Sequence, residues 1–251
     1  MEIKPPYGYS RIAPLVKTAR VELPADGTIP QAFRSMHAIP LSSAEIPLAS
    51  RDYPIAFVSG DGERSYLAVA ILGLEQEQNL FVDASGAWDT GAYLPAYVRR
   101  YPFCMARVTI EGNEKPDRVA CVEMSALTAR GEALHDEKGE PLPEWEKRKA
   151  LLFEFETDLA RTEEMCGTLK GLGLLEPFTM QAVPRNEAPL AMIGLHRVPE
   201  QKLADLPADQ LKTLVQNGVL AQVYAHVHSQ LNFQRLLDRR AAKASSATTA
   251  G

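Results

Sequence analysis

The stretch YPIAFVSGDGERSYLAVAILGL, Tyr53 to Leu74, decides the fold. Two apolar runs flank Gly60-Asp61-Gly62-Glu63. Glycine permits positive φ in a tight turn, so the stretch reads as a β-hairpin. Both runs are nearly continuously apolar, which predicts strands covered on both faces. Beyond the hairpin, Asn79-Leu80-Phe81-Val82-Asp83 reads as the next strand, closed by a turn at Ala84-Ser85-Gly86. Cys104 to Ile110 and Arg118 to Met124 pair through the polar loop Glu111 to Asp117. Phe178 to Val183 and Leu190 to Val198 add two more strands, with Arg185-Asn186 in the turn between them. On the N-terminal side, the first 50 residues are proline-rich and show no long helical period. They predict extended arms and short strands laid over a core.

Helices follow the strands. From Pro143 to Leu175, the residues Leu151, Leu152, Phe155, Leu159, Thr162, Cys166 and Leu169 recur at helical spacing. Gly171 and Gly173 end that helix. After Pro207, Leu211, Leu214 and Val215 form an inward face, and Gly218 stops or bends the chain. Val219 to Arg240 reads as a second helix with a stripe of Leu220, Val223, Tyr224, Val227, Leu231, Gln234 and Leu237. The expected fold class is α+β, in one domain over residues 1–240. A mostly antiparallel sheet, from residues about 53 to 124 and 178 to 198, is packed by one long central helix and a C-terminal helical pair. The tail, residues 241–251, is small and polar and reads as disordered.

Composition narrows the function. The 251 residues carry a net charge of −5 and a pI near 5.6, without the basic footprint of a nucleic-acid binder. The N-terminus MEIKPPYGYSRIAPLVK has no apolar h-region, and no run of about 18 apolar residues follows. The three cysteines, Cys104, Cys121 and Cys166, form no C-x-x-C pair, which fits free thiols in a reducing compartment. These features together predict a cytoplasmic location without a membrane span.

The chemistry-bearing stretch is YLPAYVRRYPF, Tyr93 to Phe103. Pro95 can open a short helix and Pro102 ends it, leaving about one turn between them. Consecutive residues on a turn point about 100° apart, so Arg99 and Arg100 cannot both face one way. One turns inward, to Asp83, Asp89 or a backbone carbonyl. The other is left to solvent or to a ligand, where a guanidinium suits a carboxylate or phosphate. The competing reading is a structural arginine in an aromatic corner built by Tyr93, Tyr97 and Tyr101. Trp88 beside Asp89 can cradle a cationic or sugar-like ligand or cap the core, and the core reading is preferred.

Other motifs carry less. His226 and His228 lie at i and i+2, about 200° apart on a helix, so they cannot share one ion. With His37, His135 and His196 they give no ligand spacing, so no metal or cofactor is expected. Cys104 follows the corner directly. An arginine there can lower a thiol pKa, but a nucleophile also needs a positioned base, and a buried structural thiol is preferred. Gly60-x-Gly62 lies in a hairpin rather than between strand and helix, so it is not a phosphate cradle.

Three blocks resemble the SapC family of bacterial proteins of about this length. They are IPLSSAEIPLASRDYPIAFVS (Ile39 to Ser59), LGLEQEQNLFVDASGAWDTGAYLPAYVRRYPF (Leu72 to Phe103) and the stretch from Ile193 to Arg240. The resemblance implies a single unit over almost the whole chain. It also implies an accessory or binding role beside halogenase-like or cupin-like proteins encoded nearby. The family's name adds an association with surface layers. The resemblance carries no catalytic residue set. After Glu123, Met124 and Ser125 depart from the family's acidic strand end, so no role for such acids transfers here.

The expectation is therefore a non-catalytic cytoplasmic accessory protein, acting through a protein partner or a small ligand. Its working surface holds Trp88, Asp89, Tyr93, Tyr97, Arg99, Arg100 and Tyr101. Two alternatives stand beside it. One is an enzyme or small-molecule binder using Arg99 or Arg100 on an anionic substrate, with Asp83, Asp89 or His196 nearby. The other is a surface-layer-associated structural protein.

Overall fold

The computed structural model describes residues 3–25, 28–60, 62–110, 113–183 and 189–249. The strands are β1 (Ile12–Pro14), β2 (Arg20–Val21), β3 (Ala38–Pro40), β4 (Ile55–Gly60), β5 (Ser65–Ile71), β6 (Phe103–Ile110), β7 (Asn113–Glu123), β8 (Glu132–Ala133), β9 (Glu176–Ala182) and β10 (Leu190–Arg197). The helices are α1 (Ile46–Ala49), α2 (Ala96–Arg99), α3 (Pro143–Gly171), α4 (Glu200–Ala204), α5 (Ala208–Gln216), α6 (Val219–Ser229) and α7 (Asn232–Thr249).

The hairpin at Tyr53–Leu74 forms as expected, with Ile55 opposite Ala70 and Gly60 opposite Ser65. Its turn places Gly62 and Glu63 at φ 64° and 67°, so a glutamate shares the left-handed geometry that glycine alone was expected to supply. Asp61, and the expected turn at Arg185-Asn186, lie outside the described residues. β4 and β5 sit at the centre of a five-stranded antiparallel sheet ordered β3-β5-β4-β10-β9.

The expected single sheet is in fact divided. β6 and β7 join β1 in a separate three-stranded sheet, and β2 pairs with β8 as a small ribbon. The N-terminal arm completes the smaller sheet, with β1 paired antiparallel along the β7 edge. The expected strand at Asn79–Asp83 is a loop with one isolated bridge, Val82 to Trp88. Its polar ends satisfy the local backbone instead. The Asn79 side chain accepts from Phe81 N–H and donates to the Phe33 carbonyl. Asp83 Oδ1 accepts from the N–H groups of Ser85 and Ala87. Such bonds compete with a sheet ladder.

α3 ties the layers together. Trp145 and Leu152, near its start, pack with Phe103, Val122 and Leu134 under the small sheet. Phe155, Met165, Cys166 and Leu169 pack further along in the main core with Phe57, Ile71 and Leu214. The helix ends on Gly173 at φ 65°, where Leu174 N–H reaches the Leu169 carbonyl and Gly173 N–H reaches that of Lys170. This pairing closes a helix on a left-handed glycine.

The C-terminal stretch from Val219 is two helices, broken at Gln230-Leu231. The break follows from anchoring. Ser229 Oγ takes the Ile55 N–H, and the Asn232 amide donates to the Ser50 and Tyr53 carbonyls, so both residues turn toward the start of β4. Leu231 is consequently 78% exposed, and Tyr224 and Val215 also face outward rather than joining the inward stripes. α7 runs from Asn232 to Thr249, and its alanines have high helix propensity. Among the described residues no helix is long and apolar enough to cross a membrane.

Candidate functional site

The corner separates its two arginines as the one-turn geometry requires. Pro95 stands at φ −60° before α2, and Arg100 caps its far end. Arg100 turns inward and is 4% exposed. Its guanidinium carbon lies 4.2 Å from the Tyr97 ring centre, 4.7 Å from Phe155 and 5.7 Å from Tyr9. The expected anchors, Asp83 and Asp89, are not its partners. Its Nη1 is instead 3.8 Å from Glu156 Oε1, and Arg118 bonds the other Glu156 oxygen. Burial raises the Glu156 pKa despite both arginines. Among the described residues Arg100 Nε has no hydrogen-bond partner.

Residues ahead of β1 close this interior over. Tyr9 donates its hydroxyl to the Phe103 carbonyl at 2.7 Å, and Tyr97 donates to the Tyr7 carbonyl at 2.6 Å. Tyr101 is half-buried, its ring 5.5 Å from Tyr9 and 5.6 Å from Phe33. Glu123, 2% exposed, accepts from the Ser10 N–H and hydroxyl and from the Arg11 N–H. That strand-end acid is a fastener for the arm.

Arg99 turns outward. Its Nε donates to the Leu94 carbonyl at 3.1 Å and its Nη2 to the Tyr93 hydroxyl at 3.2 Å. Tyr93 in turn donates to Glu45 Oε1 at 3.0 Å. Glu45, 5% exposed, also accepts the Ala96 N–H at 2.6 Å and, on Oε2, the Ser42 N–H and hydroxyl. Four hydrogen bonds thus consume this carboxylate and pin the corner to residues 42–45. Two further ties hold Tyr93: its N–H donates to Asp52 Oδ2 at 2.9 Å, and its carbonyl accepts the Tyr53 hydroxyl. Arg99 forms no ion pair with any described carboxylate. A guanidinium has five N–H donors, so two bonds orient it and leave most of the fork open.

The open fork lines a cleft of about 230 Å³ between the corner and α3, whose far wall carries Leu151, Glu154, Phe155 and Asp158. Asp158 is 8% exposed, and its Oδ1 accepts from Arg161 Nη1 at 3.1 Å. Glu154 is exposed.

The other expected site residues lie elsewhere. Trp88 is 6% exposed and stacks on Phe81, with ring centres 6.2 Å apart and planes 21° apart, so it belongs to the core. Asp89 pairs with Arg239 at 2.7 Å and accepts the Gly91 N–H. That backbone bond, then Arg239, holds its carboxyl below the usual range. Of the seven expected residues, Tyr93 and Arg99 meet in this cleft, whereas Trp88 and Asp89 line a separate one beside Arg239.

A family model for SapC matches residues 25–236. The chain belongs to the SapC family. No curated protein and no solved structure matches it. In this SapC chain the match takes in the whole corner, Glu45 and the α3 wall. Tyr7, Tyr9 and β1, which close over Arg100, lie before it.

The three thiols are buried. Burial pushes the Cys104 thiol up to about 12, outweighing the lowering by Arg100, and pushes Cys121 to about 11. His226 is fully buried. Its Nε2 accepts the Val198 N–H at 3.1 Å and its Nδ1 faces the Ile55 carbonyl at 2.9 Å, so both nitrogens brace the sheet. His228 is exposed and rests against Tyr224. Among the described residues no group of three or more His, Cys, Asp or Glu could hold a metal ion.

Sequence reading missed Glu45, Glu154 and Asp158. Signals existed for two of them. Ser42-x-x-Glu45 before an apolar residue is a capping-box pattern. Asp158 is a charge at a core-facing position of α3, between Phe155 and Thr162.

Proposed function

We propose that this protein is a non-catalytic accessory protein that binds an anionic group at Arg99. One observation carries the reading: an exposed guanidinium is held in place by Leu94 and Tyr93, lines a cleft, and pairs with no carboxylate among the described residues. An arginine kept only for structure is expected to be paired or buried, as Arg100 is. The acidic composition and three unpaired thiols favour action in the cytoplasm, with a protein partner or a small ligand at this cleft.

The enzyme alternative draws support from the same cleft, which combines an arginine with Glu154 and Asp158. It lacks an activated nucleophile. Ser42 does donate to Glu45 at 2.9 Å, but Glu45 also receives three other hydrogen bonds, and Ser42 is 2% exposed. The surface-layer reading rests on the family's name.

The test is co-purification from native lysate, with mass spectrometry of bound protein and small molecules, for the native chain and for Arg99→Ala. The expected result is a companion or ligand that Arg99→Ala loses while its melting temperature falls by less than about 4 °C. Recovery of the native chain alone, empty and monomeric, refutes the reading.

A further inference from the structure

The Arg99 cleft is not uniformly basic. Its near wall offers the open guanidinium fork, held by Leu94 and Tyr93. Its far wall, on α3, offers two carboxylates, Glu154 and Asp158, spaced one turn apart. Neither is fully spent within the protein. Among the described residues the Glu154 side chain has no ion-pair or hydrogen-bond partner, and Asp158 uses one oxygen on Arg161, itself largely exposed. The apolar lining comes from Ala44 and Ala96 and, on the α3 wall itself, from Leu151 and Phe155. Glu45 also lines the cleft, but four internal hydrogen bonds occupy its oxygens, so it offers a ligand no open acceptor.

A simple anion meets attraction from one wall and repulsion from the other. A molecule carrying both a carboxylate and a cationic nitrogen meets attraction from both. We infer that the cleft takes a small zwitterion of amino-acid type, with its carboxylate on Arg99, its ammonium on Glu154 and Asp158, and an apolar side chain against Leu151 and Phe155. Size agrees. At about 230 Å³ the cleft is below the range of roughly 300–1,000 Å³ typical of drug-sized ligands, which suits a single amino acid. The inference rests on the anion-binding reading of Arg99 and adds the second charge.

Titration calorimetry with three probes tests it: L-leucine, L-leucinamide, which lacks the carboxylate, and 4-methylpentanoate, which lacks the ammonium. L-leucine is expected to bind, and each truncated probe to bind at least about tenfold more weakly, as losing a charge-assisted hydrogen bond implies. Arg99→Gln should erase the preference for leucine over leucinamide. Glu154→Gln should shrink the preference over 4-methylpentanoate. Both side chains are exposed, so both variants should keep the native melting temperature. If 4-methylpentanoate matches L-leucine, the zwitterion inference fails while anion binding at Arg99 stands. If no probe binds the native chain at about 10 mM, a concentration that detects even millimolar affinity, the zwitterion inference fails as well, and co-purification decides the anion-binding reading separately.

Discussion

Arg99 and Arg100 are neighbours in sequence with opposite surroundings, and alanine should separate them by stability. Arg100→Ala empties a space between the Tyr97 and Phe155 rings, 4.2 and 4.7 Å from the guanidinium. Removing a long buried side chain costs about 2–5 kcal/mol in packing, and a desolvated cation–π contact adds about 2 kcal/mol. Two features offset this. The ion pair to Glu156 is long, at 3.8 Å, and Arg118 still pairs that glutamate when Arg100 is gone. Nε is also an unpartnered buried donor whose removal recovers desolvation. A net loss of about 3 kcal/mol follows, or roughly 6–12 °C in melting temperature at 2–4 °C per kcal/mol for a chain of this size. Arg99→Ala gives up two hydrogen bonds at the surface and should cost under about 1 kcal/mol. Arg100→Met restores the volume without the charge and should recover most of the loss, to within about 1.5 kcal/mol of native. Scanning calorimetry on the three variants reads this directly. Equal losses for Arg99→Ala and Arg100→Ala, or no recovery with methionine, refute the division of roles.

Three further outcomes follow from the same geometry. His226 has a folded pKa of about 4 against 6.5 for the free side chain, so the unfolded chain binds the proton first. The stability from neutral His226 is therefore complete above the unfolded value and lost as pH falls toward the folded one, by about 3 kcal/mol in all. Urea melts across that window should show the slope, and His226→Gln should flatten it. Buried thiols with raised pKa values should leave Cys104, Cys121 and Cys166 silent to a disulfide reagent at neutral pH until denaturant is added; rapid labelling of the native protein contradicts their burial. Glu45→Ala strands the Ala96 and Ser42 N–H groups and should cost about 2–4 kcal/mol by urea unfolding, whereas a loss below about 0.5 kcal/mol means that the corner does not depend on this carboxylate.

What the sequence disclosed was local and periodic. The hairpin around Gly62 and the helix from Pro143 to Gly171 were legible because turn chemistry and helical spacing act within a few residues. So was the opposition of Arg99 and Arg100, which needs only two prolines and one turn of helix. The errors came from distant partners. Nothing near Arg118 announces that Glu156 waits on α3, and nothing near Phe103 announces that the Tyr9 hydroxyl will meet its carbonyl. Asn79–Phe81 has strand composition but lost its ladder to the Asn79 amide, a side-chain competition that propensity does not weigh.

The candidate site depends on this difference in range. The guanidinium that can act is oriented by its own neighbours, Tyr93 and Leu94, so a short motif suffices to present it. Its counterpart charges come from α3, which runs past the corner because Trp145 and Leu152 seat it on one core and Phe155 and Leu169 on another. A ligand preference set by Arg99 together with Glu154 and Asp158 is thus a property of how two cores share one helix. Substitutions that shift α3 without touching the cleft, such as Leu152→Ala at a 1% exposed position, should weaken zwitterion binding more than simple anion binding, because only the former needs both walls. Equal weakening of both would mean that the far wall contributes no charge recognition.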